Sequence, residues 1–384
     1  MQKIRRWGWI GSLTVVAALG LTACGGNDPL PPKASVGKVY VMGDSLADAG
    51  TFGLKFTVQD ATNPKGFQIW PQLVANAMGL DGSQQCNVFT FANNTFGLNS
   101  TAGCTNYAIG GARVIAGASN GGAASPLNVG VQLGMRAAAG NYSASDLVLI
   151  DGGGNDAADL VGAYLGASSA AGLQAFQAFL GQQLDAATIG ALLPQTNGPA
   201  LAAGAYMQTL ADTFYGQIKT QVLDKGATRV AVLDMPDITL TPRFRAVLTG
   251  VAAATNAATA QALQGAIRQW IGTFNARLAS RFAGDSRVAV VPFYADFSDE
   301  VNNPASYQLS NVTDAACPVV GLGSDGLPAY SFPTCTSAAL DALPGKTPGW
   351  WKSYAFSDGF HPTPFGHQLL AASVSRALAR AGWL

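Results

Sequence analysis

Charge is scarce in this chain. Asp, Glu, Lys and Arg make up 11% of its 384 residues, against roughly 25% in ordinary soluble domains. Lys plus Arg balance Asp plus Glu at 22 each, and no long basic run occurs. Electrostatic binding of nucleic acid therefore has no footprint, and no nucleic-acid partner is expected. Histidine is scarcer still: only His361 and His367 are present, which leaves few groups able to move protons near neutral pH. Cysteine numbers five, without CxxC spacing and far in sequence from both histidines, which argues against a structural metal site. No long-period repeat is present, so solenoid and propeller architectures are set aside. What the chain has in quantity is apolar and small, with 48% hydrophobic residues and 46 glycines. That is enough to bury the core of one large α/β domain or two smaller ones.

The N-terminus has the layout of an export signal. Lys3, Arg5 and Arg6 come first, then an apolar stretch from Ile10 to Leu21 that is short for a membrane span, then Leu21-Thr22-Ala23-Cys24. The last four residues resemble the lipobox of bacterial lipoproteins, which implies a signal peptide over 1–23 and lipidation of Cys24. Gly25 after the cysteine favours the outer membrane, on its periplasmic or cell-surface face; a simple secretory signal is the alternative. Residues 24–36, rich in Gly and Pro, read as a flexible tether, and 37–384 as the folded domain. Export makes disulfides plausible for Cys86, Cys104, Cys317 and Cys335. The equal spacing suggests pairs 86–104 and 317–335, although four cysteines allow three connectivities.

Four β-branched runs end in Gly, Asp or Pro: Val39-Tyr40-Val41-Met42, Leu147-Val148-Leu149-Ile150, 229–233 and 287–291. Long Ala/Leu/Gln-rich stretches of helical periodicity lie between them, notably 199–226 and 252–283. The alternation predicts a parallel sheet covered by helices, in which ligands bind beyond the carboxyl ends of the strands. The stretch 116–125 reads as a surface loop. Region 303–353 reads as an irregular excursion whose Trp350 and Trp351 either pack it or line a cleft, with packing favoured. A last helix is expected with Thr363 as N-cap and Pro364 at its first position, carrying Phe365, Leu369, Leu370, Val374 and Leu378 along one side.

Gly43-Asp44-Ser45 follows directly on the first strand run, so the Ser45 hydroxyl would sit at a strand's carboxyl end with its own N–H free for an anion. Alone, the tripeptide reads equally as a turn. Asp151-Gly152-Gly153-Gly154-Asn155-Asp156 follows the second run, where an Asn amide can donate to a ligand or simply cap the next helix. The segment 106–112, with Gly110 and Gly111, offers a further backbone N–H. A serine nucleophile needs a base. Asp358-Gly-Phe-His361 sets a carboxylate three residues before an imidazole in a loop, and Pro362 biases His361 toward extended backbone. His367, in the first turn of the following helix, is read as structural or partly exposed. Gly117-Ala118-Ser119-Asn120-Gly121 matches the Gly-x-Ser-x-Gly pattern of another hydrolase class but lacks the buried strand that such an elbow requires.

Together these segments, 43–50, 106–112, 153–156 and 358–363, resemble the four blocks of the GDSL, or SGNH, esterase/lipase family in their order. Stretches 301–306 and 311–314 are similar to its bacterial phospholipase/lipase/acyltransferase branch. The resemblance implies a three-layer α/β/α sandwich around a central parallel, flavodoxin-like sheet. By the same resemblance Ser45 is the nucleophile and Asp358 with His361 the acid and base. Ser45, Gly110 or Gly111, and Asn155 form the oxyanion hole. No metal or organic cofactor is called for. Some relatives end in a membrane β-barrel; with only about 20 residues after His361, anchoring is expected through Cys24 instead. The expected activity is hydrolysis of carboxylic esters, with a lipid or small-molecule acyl ester as the expected substrate and lipid preferred. Acyl transfer to an alcohol, carbohydrate O-acetyl ester cleavage and a non-catalytic surface lipoprotein are the alternatives.

Overall fold

A computed structural model describes residues 35–384. The export signal, Cys24 and almost all of the expected tether lie outside the described residues. Four strands form the central sheet: β1 (Lys38–Met42), β2 (Asp146–Ile150), β3 (Val230–Leu233) and β4 (Val288–Val291), all parallel and hydrogen-bonded in that order. They coincide with the four runs expected from sequence. Beyond β1 the segment 105–109 runs parallel along the other edge, with Val41 N–H donating to the Thr105 carbonyl at 3.0 Å. Tyr107 and Ile109 N–H donate in turn to the Val41 and Gly43 carbonyls. Strand order therefore reverses at β1, the doubly wound arrangement in which ligands bind at the switch point.

Alternate strand residues face opposite layers, because successive side chains of a strand point to opposite sides. Met42, Val148, Ile150, Val230 and Val232 pack against α2 (Val129–Ala138), α3 (Gly154–Gly166), α4 (Gly198–Gln221) and α5 (Ala257–Phe282). Val41, Leu147, Leu149, Ala231 and Leu233 pack against α1 (Trp70–Ala77) and α7 (Pro364–Arg380). Every residue of β2 is buried, which explains why Leu147 to Ile150 form a continuous apolar run rather than an alternating one. Each such side chain contributes roughly 1.5–3 kcal/mol by leaving water. The result is the α/β/α sandwich.

Two expectations change in detail. The stretch 252–283 is not one helix: it breaks after Ala254, and Asn256 starts α5 anew by accepting from Thr259 N–H at 2.9 Å. Region 303–353 is less irregular than its composition suggests. Asn311–Ala315 pairs in parallel with Tyr354–Phe356, and Gly321–Leu322 forms a small hairpin with Pro328–Ala329. Trp350 and Trp351 pack this region, their indole N–H groups donating to the Leu340 carbonyl and to Asp341. The final helix starts as expected, with the Thr363 hydroxyl accepting from Gly366 N–H. The cysteines join as 86–104 and 317–335, with Cα–Cα distances of 4.8 and 5.4 Å.

Candidate active site

The chain leaves β1 through a turn that only glycine can make at position 43. Its φ is +156°, and a Cβ there would lie 1.6 Å from Asp151 Oδ1. That oxygen accepts the Asp44 N–H at 2.8 Å, tying the turn after β1 to the end of β2. On the other side the Gln132 amide clamps Gly43, accepting its N–H at 2.8 Å and donating to its carbonyl at 3.0 Å. Asp44 in turn accepts Leu46 N–H. Burial pushes the carboxyls of Asp44 and Asp151 up, and the charge of Asp44 pushes Asp151 further. Ser45 is presented at the apex of this braced turn.

Ser45 Oγ lies 2.8 Å from His361 Nε2. The other ring nitrogen, Nδ1, lies 2.9 Å from Asp358 Oδ2 and 3.0 Å from Oδ1. The Asp358 carboxylate also accepts the backbone N–H of Phe360 and of His361, so the three-residue spacing closes on itself as an Asx-type turn. Burial acts to raise the Asp358 carboxyl, but the His361 charge and these hydrogen bonds together hold it below the usual carboxylate range. The loop is fixed from outside. Ser357 N–H donates to the His361 carbonyl at 2.7 Å, and the Thr57 and Ser357 hydroxyls donate to the Pro362 carbonyl. Phe56 and Phe332 flank the imidazole, with ring centroids 5.1 and 5.6 Å away.

The two adjacent glycines are distinguished by their partners. Gly110 N–H is consumed by Asp48 Oδ2 at 2.8 Å, and Gly110 is buried under Phe56, whose ring a Cβ would meet at 2.2 Å. Gly111, with φ +80°, lines the cleft beside Ser45, and its N–H has no partner among the described residues. Of the pair left open in sequence, Gly110 is thus corrected to a packing position and Gly111 is the available donor. Ser45 N–H is likewise unpaired among the described residues. Asn155, in the first turn of α3, spends one amide hydrogen on the Ala112 carbonyl at 2.9 Å. The same amide nitrogen donates a longer contact to Asp44 Oδ2 at 3.5 Å, and the residue lines the cleft.

Asp48 is the residue that holds these blocks together. Wholly buried, it accepts from Gly50, Thr51 and Gly110 N–H and from the Asn87 amide. Asp156 does the same for the backbone just after 106–112, accepting from Val114 and Ile115 N–H; burial pushes its carboxyl up to about 7. Gln132, Phe56 and Phe332 escaped the sequence reading, since each lies in a stretch without any local signature. Asp48 had one, standing three residues after Ser45. His367 takes the structural of its two expected places: it is fully buried rather than partly exposed, with both ring nitrogens unpartnered among the described residues, and burial drives it down to about 3. Ser119 sits in a three-residue 3-10 turn, exposed and without a strand before it.

The open cleft above Ser45 measures about 350 Å³ and is bordered by Arg113, Arg243, Tyr330 and Phe360. Arg113 pairs with Asp159 at 2.6 Å and Arg243 with Asp325 at 2.5 Å. Among the described residues no group of three or more His, Cys, Asp or Glu side chains is arranged to hold a metal ion. The arrangement can deprotonate a hydroxyl and hold the resulting imidazolium, with the unpaired Ser45 and Gly111 N–H groups and the Asn155 amide close by as candidate donors to an anionic oxygen. A family model described as GDSL-like Lipase/Acylhydrolase matches residues 39–374. No curated protein matches the chain.

Proposed function

Because the chain belongs to the GDSL-like lipase/acylhydrolase family and is a hydrolase acting on ester bonds, we propose that it cleaves carboxylic esters through an acyl-enzyme on Ser45. The observation that carries this is the line Ser45 Oγ, His361, Asp358, at 2.8 and 2.9 Å. It faces N–H groups that have no partner among the described residues.

In the proposed cycle His361 Nε2 takes the Ser45 proton as Oγ bonds to the ester carbon. The carbonyl oxygen becomes an oxyanion that accepts from Ser45 N–H, Gly111 N–H and the Asn155 amide. Collapse breaks the bond to the alcohol, which leaves with the proton held by His361. Water then repeats the sequence: His361 takes its proton, the hydroxide oxygen bonds to the acyl carbon, and the proton returns to Ser45 as the acid departs. Asp358, held ionised, fixes the imidazole orientation and stabilises the imidazolium. The alcohol portion is assigned to the cleft bordered by Arg113, Arg243 and Tyr330, whose polar rim suits a hydroxylated or zwitterionic group.

The expected address, an outer-membrane lipoprotein held through Cys24, concerns residues outside those described and forms part of the proposal. Incorporation of a palmitate analogue that disappears in Cys24→Ala would support it. The activity itself is tested by labelling the folded protein with a fluorophosphonate and following p-nitrophenyl acetate hydrolysis. Label and turnover should both vanish in Ser45→Ala. Turnover that survives in that variant would remove Ser45 from the mechanism.

A further inference from the structure

The chain leaves α6 (Phe293–Asn302) into an excursion whose small hairpin carries an apolar edge. Among the described residues six large hydrophobic side chains are exposed, and three of them fall within 319–322: Val319 (55%), Val320 (59%) and Leu322 (72%). Pro318 before them is exposed too, and no charged residue stands between Asp314 and Asp325. Single exposed hydrophobics are ordinary, but a contiguous run of them marks a surface that something covers.

This edge is held in place at both ends. Cys317 and Cys335 join across the base of the hairpin, and Cys317 N–H donates at 2.7 Å to the carbonyl of Ser357, the residue before Asp358. Val320 N–H donates to the Ala329 carbonyl at 2.9 Å and Gly323 N–H to the Leu327 carbonyl at 2.8 Å, while Asp325 at the turn pairs with Arg243. Leu327, Pro328 and Tyr330, on the returning strand, line the cleft above Ser45. The apolar strand therefore lies one strand spacing, roughly 4.8 Å, from the cleft wall. Whatever covers it is held against the mouth of the active site.

The patch is too small for a second copy of the chain. Three aliphatic side chains so exposed offer on the order of 200 Å² of apolar surface, against about 800 Å² for each partner of a stable protein interface. A lipid surface asks for less, because it needs no complementary shape, and burying that area shifts partition by about 10³-fold. Nothing charged need leave water: the edge carries no ionised group, and the nearby Arg243 is already paired with Asp325. At the shallow depth of the headgroups, water still reaches the outer N–H and C=O groups of the strand. We propose that Val319, Val320 and Leu322 form a lipid-docking edge that seats the mouth of the cleft on a bilayer surface. The proposal rests on the Ser45 mechanism above and specifies its substrate, an ester presented in lipid rather than met free in water.

The experiment places an environment-sensitive nitrobenzoxadiazole dye at the hairpin turn, through Ser324→Cys in the full chain carrying Cys24→Ala, the other cysteines being paired. Vesicles of dialkyl-ether phosphatidylcholine, which offer no ester, are titrated in. Dye emission should rise severalfold, with the same midpoint when anionic ether phosphatidylglycerol or high salt is added. Val319→Ser, Val320→Ser and Leu322→Ser together should move that midpoint to at least about 10²-fold more lipid, while kcat/KM for dissolved p-nitrophenyl acetate stays within about twofold of the parent, since none of the three lines the cleft. Should the triple variant lose acetate hydrolysis, Leu322→Ser alone should move the midpoint about tenfold. No rise with vesicles, a rise undiminished by these substitutions, or a rise that needs anionic lipid and disappears in salt would overturn the proposal. So would a rise with protein concentration in the absence of vesicles, the mark of a second copy on the edge. Ser45→Ala should dock as the parent does while losing acetate hydrolysis, so a failure of docking and a failure of the mechanism are read apart.

Discussion

Substituting Gly43 by Ala tests whether the turn after β1 is braced as described. The added Cβ would stand 1.6 Å from Asp151 Oδ1, and contact distances begin at about 3.0 Å, so turn and carboxylate must separate by roughly 1.4 Å. That breaks the Asp44 N–H bond to Asp151 and orphans a buried donor, at about 1.5–3 kcal/mol for a bond to a charged or strongly polar acceptor. The left-sided φ adds roughly 1–2 kcal/mol. The expected loss is about 3–5 kcal/mol of stability, read as the urea midpoint at constant slope. Ser45 is displaced with the turn, and a shift near 1 Å costs about 10²-fold in a positioned reaction, read as kcat for p-nitrophenyl acetate. Gly53→Ala is the control: its φ is +78° but nothing lies within 4 Å of the new Cβ, so only the backbone cost of about 1–2 kcal/mol should appear. If Gly43→Ala matches Gly53→Ala in both measurements, the Asp151 brace does not operate.

Other outcomes follow from the same geometry. Asn155→Ala removes one of three oxyanion donors and should lower kcat about 10²–10³-fold with little change in KM, measured by steady-state kinetics on acetate. Replacing Cys317 and Cys335 together by Ser frees an 18-residue separation and should cost about 3 kcal/mol on the chain-entropy account, measured by urea unfolding. Glu300 titrates near 4.5 when unfolded and about 8 when folded, so the native state holds the extra proton between those values and stability falls as pH rises through them. Glu300→Gln should therefore gain on the wild type by roughly 1 kcal/mol per pH unit between pH 5 and 8; parallel midpoints at both pH values would show the group is not buried as a neutral acid.

The sheet was legible because strands buried on both faces must be apolar throughout: all five residues from Asp146 to Ile150 are buried, and four of them form one unbroken aliphatic run. Ser45, Asp358 and His361 were legible for a different reason. Each sits in a short segment, a strand end or an Asx turn, that alone reads as a plain turn, and it was the joint resemblance of four such segments to one family that singled them out. What escaped notice depends on partners distant in sequence. Gln132 clamps Gly43 across 89 residues, yet in its own helix it is an unremarkable polar position. The choice between Gly110 and Gly111 turned on Asp48, 62 residues earlier, and composition cannot tell two neighbouring glycines apart. Asn256 divided a periodic stretch that looked continuous, because Ala-rich sequence carries the helical pattern through a break.

The contact between Ser45 and His361 spans 316 residues, whereas Asp358 and His361 are bound within a single turn. The acid and base thus come together locally, while the hydroxyl meets them only after the sheet and the C-terminal helix have docked. Loop-closure entropy makes so remote a contact among the costliest to form during folding. Reactivity at Ser45 is accordingly a clock for the end of folding: a chain that has gained helix and sheet but not yet brought residues 45 and 361 together has no proton acceptor beside its hydroxyl and remains chemically silent.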